Sequence, residues 1–264
     1  MDESNLLLIC EKMNRIATNI LLNIIRPTLE HRTGRPRILE TEYILDRIRY
    51  ILRTGCQWHN LPVDGGSWKT VYHYFSMWSK RHIFERAYHQ LLQFYLRRRG
   101  LSREVVVDTS FVKNVLGRDC LGKSPVDRGR KATKVSALVD SFGTPLYLLF
   151  HPGNKNDGNT LHHLLHKSVK HIDLRGLHLF GDKGYDSERC RTITDKHEMV
   201  NRITRKGTSP CKATNRTRIV VEHAFGWLDK YRRIIMRYDG LICHFRSFHF
   251  LACLNLTGNR LHFI

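Results

Sequence analysis

Acidic residues are scarce in this chain. Aspartate and glutamate together number 24 against 44 lysines and arginines, a formal net charge of +20. That imbalance suits a polyanionic partner, with DNA or RNA first and an anionic membrane surface as the weaker alternative. Long apolar runs are missing too. None approaches the ~20 residues that span a bilayer, and residues Leu6 to Ile9 are too short and lack a basic leader, so no signal peptide is read. The seven cysteines are odd in number and form no CxxC pair, which argues against a disulfide scaffold and for reduced thiols in an intracellular setting. No internal repeat and no low-complexity tract appears. The 264 residues are enough for one large domain or two modest ones.

The pattern changes once along the chain. Residues 1–100 read as a helical region, with turn signals at Gly34-Arg35-Pro36 and Pro62-Val63-Asp64-Gly65-Gly66. Ile44, Ile48 and Ile51 recur at helical spacing. A second helix is expected from about Trp68 to Phe84, with Val71, Phe75 and Trp78 on its apolar face, and Trp58, Trp68 and Trp78 are read as core. From Glu104 to about residue 260, strands alternate with helices. Strands are expected at Val105–Val112, Ala132–Val139 and Pro145–His151, the last two flanking the hairpin turn Asp140-Ser141-Phe142-Gly143. A helix follows over Asp157–Lys170, with Leu161, Leu164, Leu165 and Val169 inward. Next come a strand to Asp182, a helix over Asp186–His197, a short strand at Met199–Ile203, and a helix from Thr217 to about Tyr231. Three strands, helix, strand, helix, strand, helix is the build of an α/β, ribonuclease H-like mixed sheet flanked by helices, here preceded by a smaller helical domain.

Against so basic a background, three acids stand out. Asp108 closes the apolar run Val105-Val106-Val107, Asp182 closes Leu177–Gly181, and Glu222 lies on the helix-like stretch RTRIVVEHAFGWLDKYRRI. Sites in α/β sheets form at strand carboxyl ends, although Asp108 falls inside its expected strand. Converging carboxylates hold hard divalent cations through oxygen, and two such ions are the usual machinery for displacement at a phosphodiester. The bland readings are an N-cap at Asp182, with Asp186 the better cap candidate, and an i,i+4 ion pair between Arg218 and Glu222. Asp140, in the hairpin turn, and Asp157, read as a helix cap, are rival acids that end no central strand. His162 and His166 lack the glutamate of an HExxH site, and Cys243, His244, His249 and Cys253 fit no common zinc spacing.

Long motifs then carry a family resemblance. The chain resembles a DDE transposase of the insertion-sequence 4/5 group from about residue 26 to 258. The matching segments are GRPR, LRTGCQWHNLP and SWKTVYHYFSMW in the first part, then VVVDTS, GRKATKVSALVDSFGTPL, FGDKGYDS and RIVVEHAFGWLDKYRRI. The resemblance implies a DNA transposase that cuts at transposon ends and joins the freed 3′-hydroxyl to target DNA. It implies Asp108, Asp182 and Glu222 as the catalytic acids, holding two Mg²⁺ ions for which Mn²⁺ would substitute. The short interval from Asp182 to Glu222 leaves little room for the insertion domain of some relatives. The glutamate signature matches at Arg218 but departs at Asn215, where a tyrosine is usual, and at Asp229, where a lysine is usual; Lys230 comes one step later.

The implied partner is double-stranded DNA, as transposon ends and target, bound by a homodimer or larger assembly. The implied location is wherever the DNA lies, the nucleoid of a prokaryote or the nucleus of a eukaryotic host. Candidate phosphate contacts are Arg35 and Arg37 in the GRPR turn, Arg128, Arg130, Lys131 and Lys134 before and within the second strand, Arg205 and Lys206 ahead of the glutamate helix, and Arg218, Lys230 and Arg233 on or near it. Two other functions compete: a domesticated or decayed relative that binds DNA without cutting it, and a nuclease on the same fold that never joins strands.

Overall fold

The structure, a computed structural model, describes residues 14–29, 39–209 and 212–261, with side chains from 219 onward in the last segment. Two compact units divide the chain, one from residues up to Arg98 together with those from Leu228 on, the other Arg99–Trp227. The sequence pattern predicts a second region running to about residue 260; by compactness, residues from Leu228 on group with the helices.

The helical unit contains α1 (Arg15–Ile25), α2 (Thr41–Thr54), α3 (Trp68–Lys80) and most of α4 (Ile83–Arg99). Ile44, Ile48 and Ile51 are fully buried, as their spacing predicts. Helix α2 ends on Gly55, whose φ of 70° supplies a left-handed C-cap. Ser67 caps α3 by accepting from the Lys69 N–H. The expected helix to Phe84 stops at Lys80, because the chain turns through His82 at φ 54° and thereby buries Ile83 and Phe84. Trp78 is core, whereas Trp58 and Trp68 are half-buried. Trp58, Phe75 and Phe248 form an aromatic cluster, with Phe75 stacked on Phe248 at 4.5 Å.

The second unit is built on β1 (Glu104–Asn114), β2 (Gly122–Lys123), β3 (Lys131–Asp140), β4 (Pro145–Pro152), α5 (Asp157–Ser168), β5 (His178–Gly181), α6 (Glu188–Lys196), β6 (Val200–Asn201) and α7 (Lys212–Leu228). The main sheet order is β4-β3-β1-β5-β6, with β2 also pairing with β3. Strands β1, β3 and β4 are antiparallel neighbours, and β5 and β6 run parallel to β1. An antiparallel hairpin edge feeding a parallel half is the ribonuclease H-like arrangement, so the fold is α/β of that class. The hairpin turn falls where the sequence placed it. Asp140 accepts the N–H groups of Phe142 and Thr144, and Gly143 takes φ 77°. Helix α5 buries Leu161, Leu164 and Leu165 and leaves Val169, just past its end, exposed.

Candidate functional site

The register between β1 and β5 brings two of the three acids together. The parallel ladder ends at Val107 opposite Gly181. Asp108 and Asp182 are each the next residue, and Asp182 keeps an extended backbone at φ −74°, ψ 173°. Neighbouring strands lie about 4.8 Å apart, so the backbones of the two aspartates, one step past a shared ladder, stand at neighbouring strand ends. Asp108 does lie inside β1, which runs on to Asn114 by pairing with β3. Measured against β5, however, it stands at the carboxyl end.

Local backbone sets both carboxylates. Asp108 Oδ1 accepts the N–H of Thr109 at 2.7 Å. Asp182 Oδ1 accepts the N–H of Gly184 at 2.9 Å and caps a short 3-10 turn, Lys183–Tyr185. The flanking glycines serve close approach rather than unusual dihedrals. A Cβ on Gly184 would sit 2.9 Å from Asp182 Oδ1, and one on Gly181 would sit 3.0 Å from the Val107 side chain. Asp186 does not cap α6; Ser187 does. Asp186 instead accepts the Lys206 N–H and pairs with Arg191, which together hold its carboxyl below the usual range.

Glu222 is exposed on α7, beside buried Val221 and Ala224. Phe225 is half-buried. Among the described residues no three His, Cys, Asp or Glu side chains gather closely enough to hold a metal ion. The structure thus joins Asp108 with Asp182 and does not bring Glu222 to them. The donor chemistry of the aspartate pair, hard carboxylate oxygen at two neighbouring strand ends, fits Mg²⁺ or Mn²⁺.

Among the rival acids, Asp140 is fully buried in its turn. The cap of α5 is Asn156 rather than Asp157. Asp157 accepts from Lys134 Nζ at 2.7 Å, and Lys134 also donates to the Lys155 carbonyl and lies over the Phe111 ring. Lys134 is only 4% exposed. Reading it as a phosphate contact is therefore corrected: it is a buried ion-pair partner. The same correction applies to Arg233, 5% exposed and forked onto Asp239 at 2.7 and 3.2 Å.

The remaining cations divide by position. Arg128, Arg130, Lys131, Arg205, Lys206 and Lys230 are exposed. Lys230 lies past the end of α7. Arg35 and Arg37 lie outside the described residues, as does the side chain of Arg218. Sequence reading missed Lys123 and Lys155, both exposed, which line a cleft of about 510 Å³ between the β2–β3 and β4–α5 loops. The signal was there in Gly122-Lys123 and Gly153-Asn154-Lys155: a Cβ on Gly122 would overlap Asn154, and one on Gly153 would press on Gly122 and Ala132 carbonyls. No helix among the described residues is long and apolar enough to cross a membrane.

Comparison with known proteins bears on the whole chain. A family model described as "Transposase DDE domain" matches residues 99–256, and one described as "Putative transposase of IS4/5 family" matches residues 18–88. The chain is 30% identical over 151 residues, 55% of its length and 72% of the relative's, to a putative transposase for insertion sequence element IS402 of Burkholderia cepacia. It is 30% identical over 128 residues, 46% of its length and 94% of the relative's, to a putative transposase for element IS6501 of Brucella ovis. The solved catalytic domain of Mos1 mariner transposase aligns at 13% identity over 65% of this chain and 90% of that one, with a TM-score of 0.31. At that score the strand order above, not the overlay, assigns the fold.

Proposed function

Because this chain belongs to the DDE transposase family, of the insertion-sequence 4/5 type, and is a DNA transposase, we propose that its DNA cleavage and strand transfer depend on two divalent cations held by Asp108, Asp182 and Glu222. The observation that carries the reading is the β1–β5 register, which supports a paired carboxylate site one residue past the ladder at Val107 and Gly181. Asp108 and Asp182 supply the paired oxygens, each already oriented by a backbone N–H. Glu222, exposed on α7, is the third ligand of the proposal. Mg²⁺, with Mn²⁺ as substitute, would supply Lewis-acid polarisation of the phosphodiester when bound. No residue here is assigned as a covalent nucleophile; the chain's own part is to hold the scissile strand and orient the oxygens around it.

The DNA-facing cations are Arg128, Arg130, Lys131, Arg205 and Lys206, joined by Lys123 and Lys155 on the cleft. Arg35, Arg37, Arg218 and Lys230 complete the proposed set. The partner is double-stranded DNA, as element ends and target, and cutting two ends together calls for a homodimer or larger assembly, located with that DNA.

The test is cleavage of a labelled duplex carrying the element's own terminal sequence, in Mg²⁺ or Mn²⁺. Wild type should cut and then join 3′-hydroxyl ends to target, while Asp108→Ala and Asp182→Ala should bind the duplex but cut at least 100-fold more slowly. Normal cutting by Glu222→Ala would remove Glu222 from the site. Cutting without joining would mark a nuclease, and binding without cutting by wild type in either metal would overturn the catalytic reading.

A further inference from the structure

Four polar side chains cross the sheet beneath the aspartate pair. Tyr185 Oη lies 2.8 Å from Thr109 Oγ1, Thr109 Oγ1 lies 2.8 Å from Ser136 Oγ, and Ser136 Oγ lies 2.7 Å from His151 Nε2. The chain of hydrogen bonds links the turn after β5 to β1, β3 and β4. Thr109 pairs directly with Ser136 in the ladder. Alternation puts Thr109 on the opposite face of β1 from Asp108, so the relay runs under the site rather than through it.

The setting is a packed interior. Tyr185 is 2% and Ser136 1% exposed. Burial pushes the Tyr185 phenol up, with the nearby charges of Asp157, Asp108 and Asp182 acting the same way against the Thr109 hydrogen bond. Burial, with the Lys134 charge, pushes His151 down to about 4. Tyr185 therefore stays a donor and His151 stays neutral at neutral pH. A proton order consistent with these bonds has Tyr185 donating to Thr109, Thr109 to Ser136, and Ser136 to His151 Nε2. Apolar residues of the same shape would serve packing as well, since buried hydrogen bonds add little net stability. The three linked hydrogen bonds instead restrain the relative positions of the segments that carry them, although His151 Nδ1 is buried without a partner among the described residues.

What it fixes is visible at its two ends. The Thr109 peptide N–H holds Asp108 Oδ1. The turn that ends in Tyr185 holds Asp182, through the Gly184 N–H on its carboxylate and the Tyr185 N–H on its carbonyl. The Thr109–Tyr185 hydrogen bond thus ties together the two segments that orient the two aspartates. We propose that Thr109, Ser136 and Tyr185 are positioning residues, a relay anchored on His151 that sets the spacing and orientation of Asp108 and Asp182 for a divalent cation. This rests on the metal-dependent reading above.

The experiment is a Mn²⁺ titration of the full chain followed by electron paramagnetic resonance of free Mn²⁺, with duplex affinity in chelator and cleavage measured in parallel. Thr109→Val and Tyr185→Phe remove a hydroxyl with little change of shape. Each should weaken Mn²⁺ binding and slow cleavage by about 10-fold or more, the usual effect of losing a partner behind a ligand, with duplex affinity in chelator unchanged. Thr109→Ser keeps the hydroxyl and should return both to within about 3-fold of wild type, on the same reasoning. Should Thr109→Val fail to fold, Tyr185→Phe and Ser136→Ala carry the comparison. The relay is overturned if the hydroxyl-deleted variants bind Mn²⁺ like wild type, or if Thr109→Ser is as impaired as Thr109→Val. Asp108→Asn and Asp182→Asn separate the two failures. If they lose Mn²⁺ while the relay variants keep it, the relay alone falls; if they keep it, the metal reading falls and the relay with it.

Discussion

At the scale of single residues, what a charged side chain faces decides its role. Asp108 and Asp182 each accept a backbone N–H, which orients the carboxylate. Gly184 is the sharpest local dependence. Gly184→Ala places a Cβ 2.9 Å from Asp182 Oδ1, and cleavage should fall by at least 10-fold, with a loss of stability of only about 1 kcal/mol by thermal unfolding. The cations separate in the same way. Arg233→Ala strands Asp239 in the helical unit's interior and should cost about 3–5 kcal/mol in chemical denaturation. Lys123→Ala and Lys155→Ala, both at exposed positions, should leave stability within about 0.5 kcal/mol. Each should also lower the slope of log affinity against log salt by about one for duplex DNA.

At the scale of elements, the sheet is what turns distant sequence into a site, and the hairpin edge holds the far end of the buried relay. Gly143 sits at φ 77° in the β3–β4 turn, so Gly143→Ala should lose about 1 kcal/mol, read as a lower melting temperature with unchanged secondary structure. Strand β4 also carries His151, and the C-terminal helix α8 (Ile242–Arg260) carries His249. Burial pushes both down to about 4. Each is neutral when folded at a pH where the unfolded chain, at the ordinary histidine value of 6.5, binds a proton. Stability should therefore be full above about pH 6.5 and fall as pH drops from there through 4. His151→Gln and His249→Gln should each flatten part of that fall in equilibrium unfolding measured at pH 4.5 and 7.

At the scale of the molecule, the two units carry different kinds of sequence signal. In the helical unit the 3.6-residue period alone named the buried face of α2, because a helix buries a stripe its own sequence defines. In the α/β unit, strand positions and the hairpin turn were legible from β-branched runs and the Asp140–Gly143 turn. The alternation of elements implied a hairpin edge feeding a parallel half, and the structure gives the order β4-β3-β1-β5-β6. The +20 charge is likewise a whole-chain property, and binding of duplex DNA should weaken steeply between about 50 and 200 mM salt.

The sequence by itself determined the kinds of element, the long motifs of the family, and the pairing candidates Asp108 and Asp182, since each closes an apolar run. Burial of side chains drawn from distant segments was decided only in three dimensions. Lys134 and Arg233 look like any other members of basic clusters in a linear reading. Only the tertiary structure sets Asp157 and Asp239 against them, because neither pair falls at the spacing of a helix or strand period. The registers of β1 against β5 and of β1 against β3 were decided the same way. They set Asp108 beside Asp182 and Thr109 against Ser136, because backbone hydrogen bonds between strands fix which residues face each other and side-chain chemistry along one strand does not.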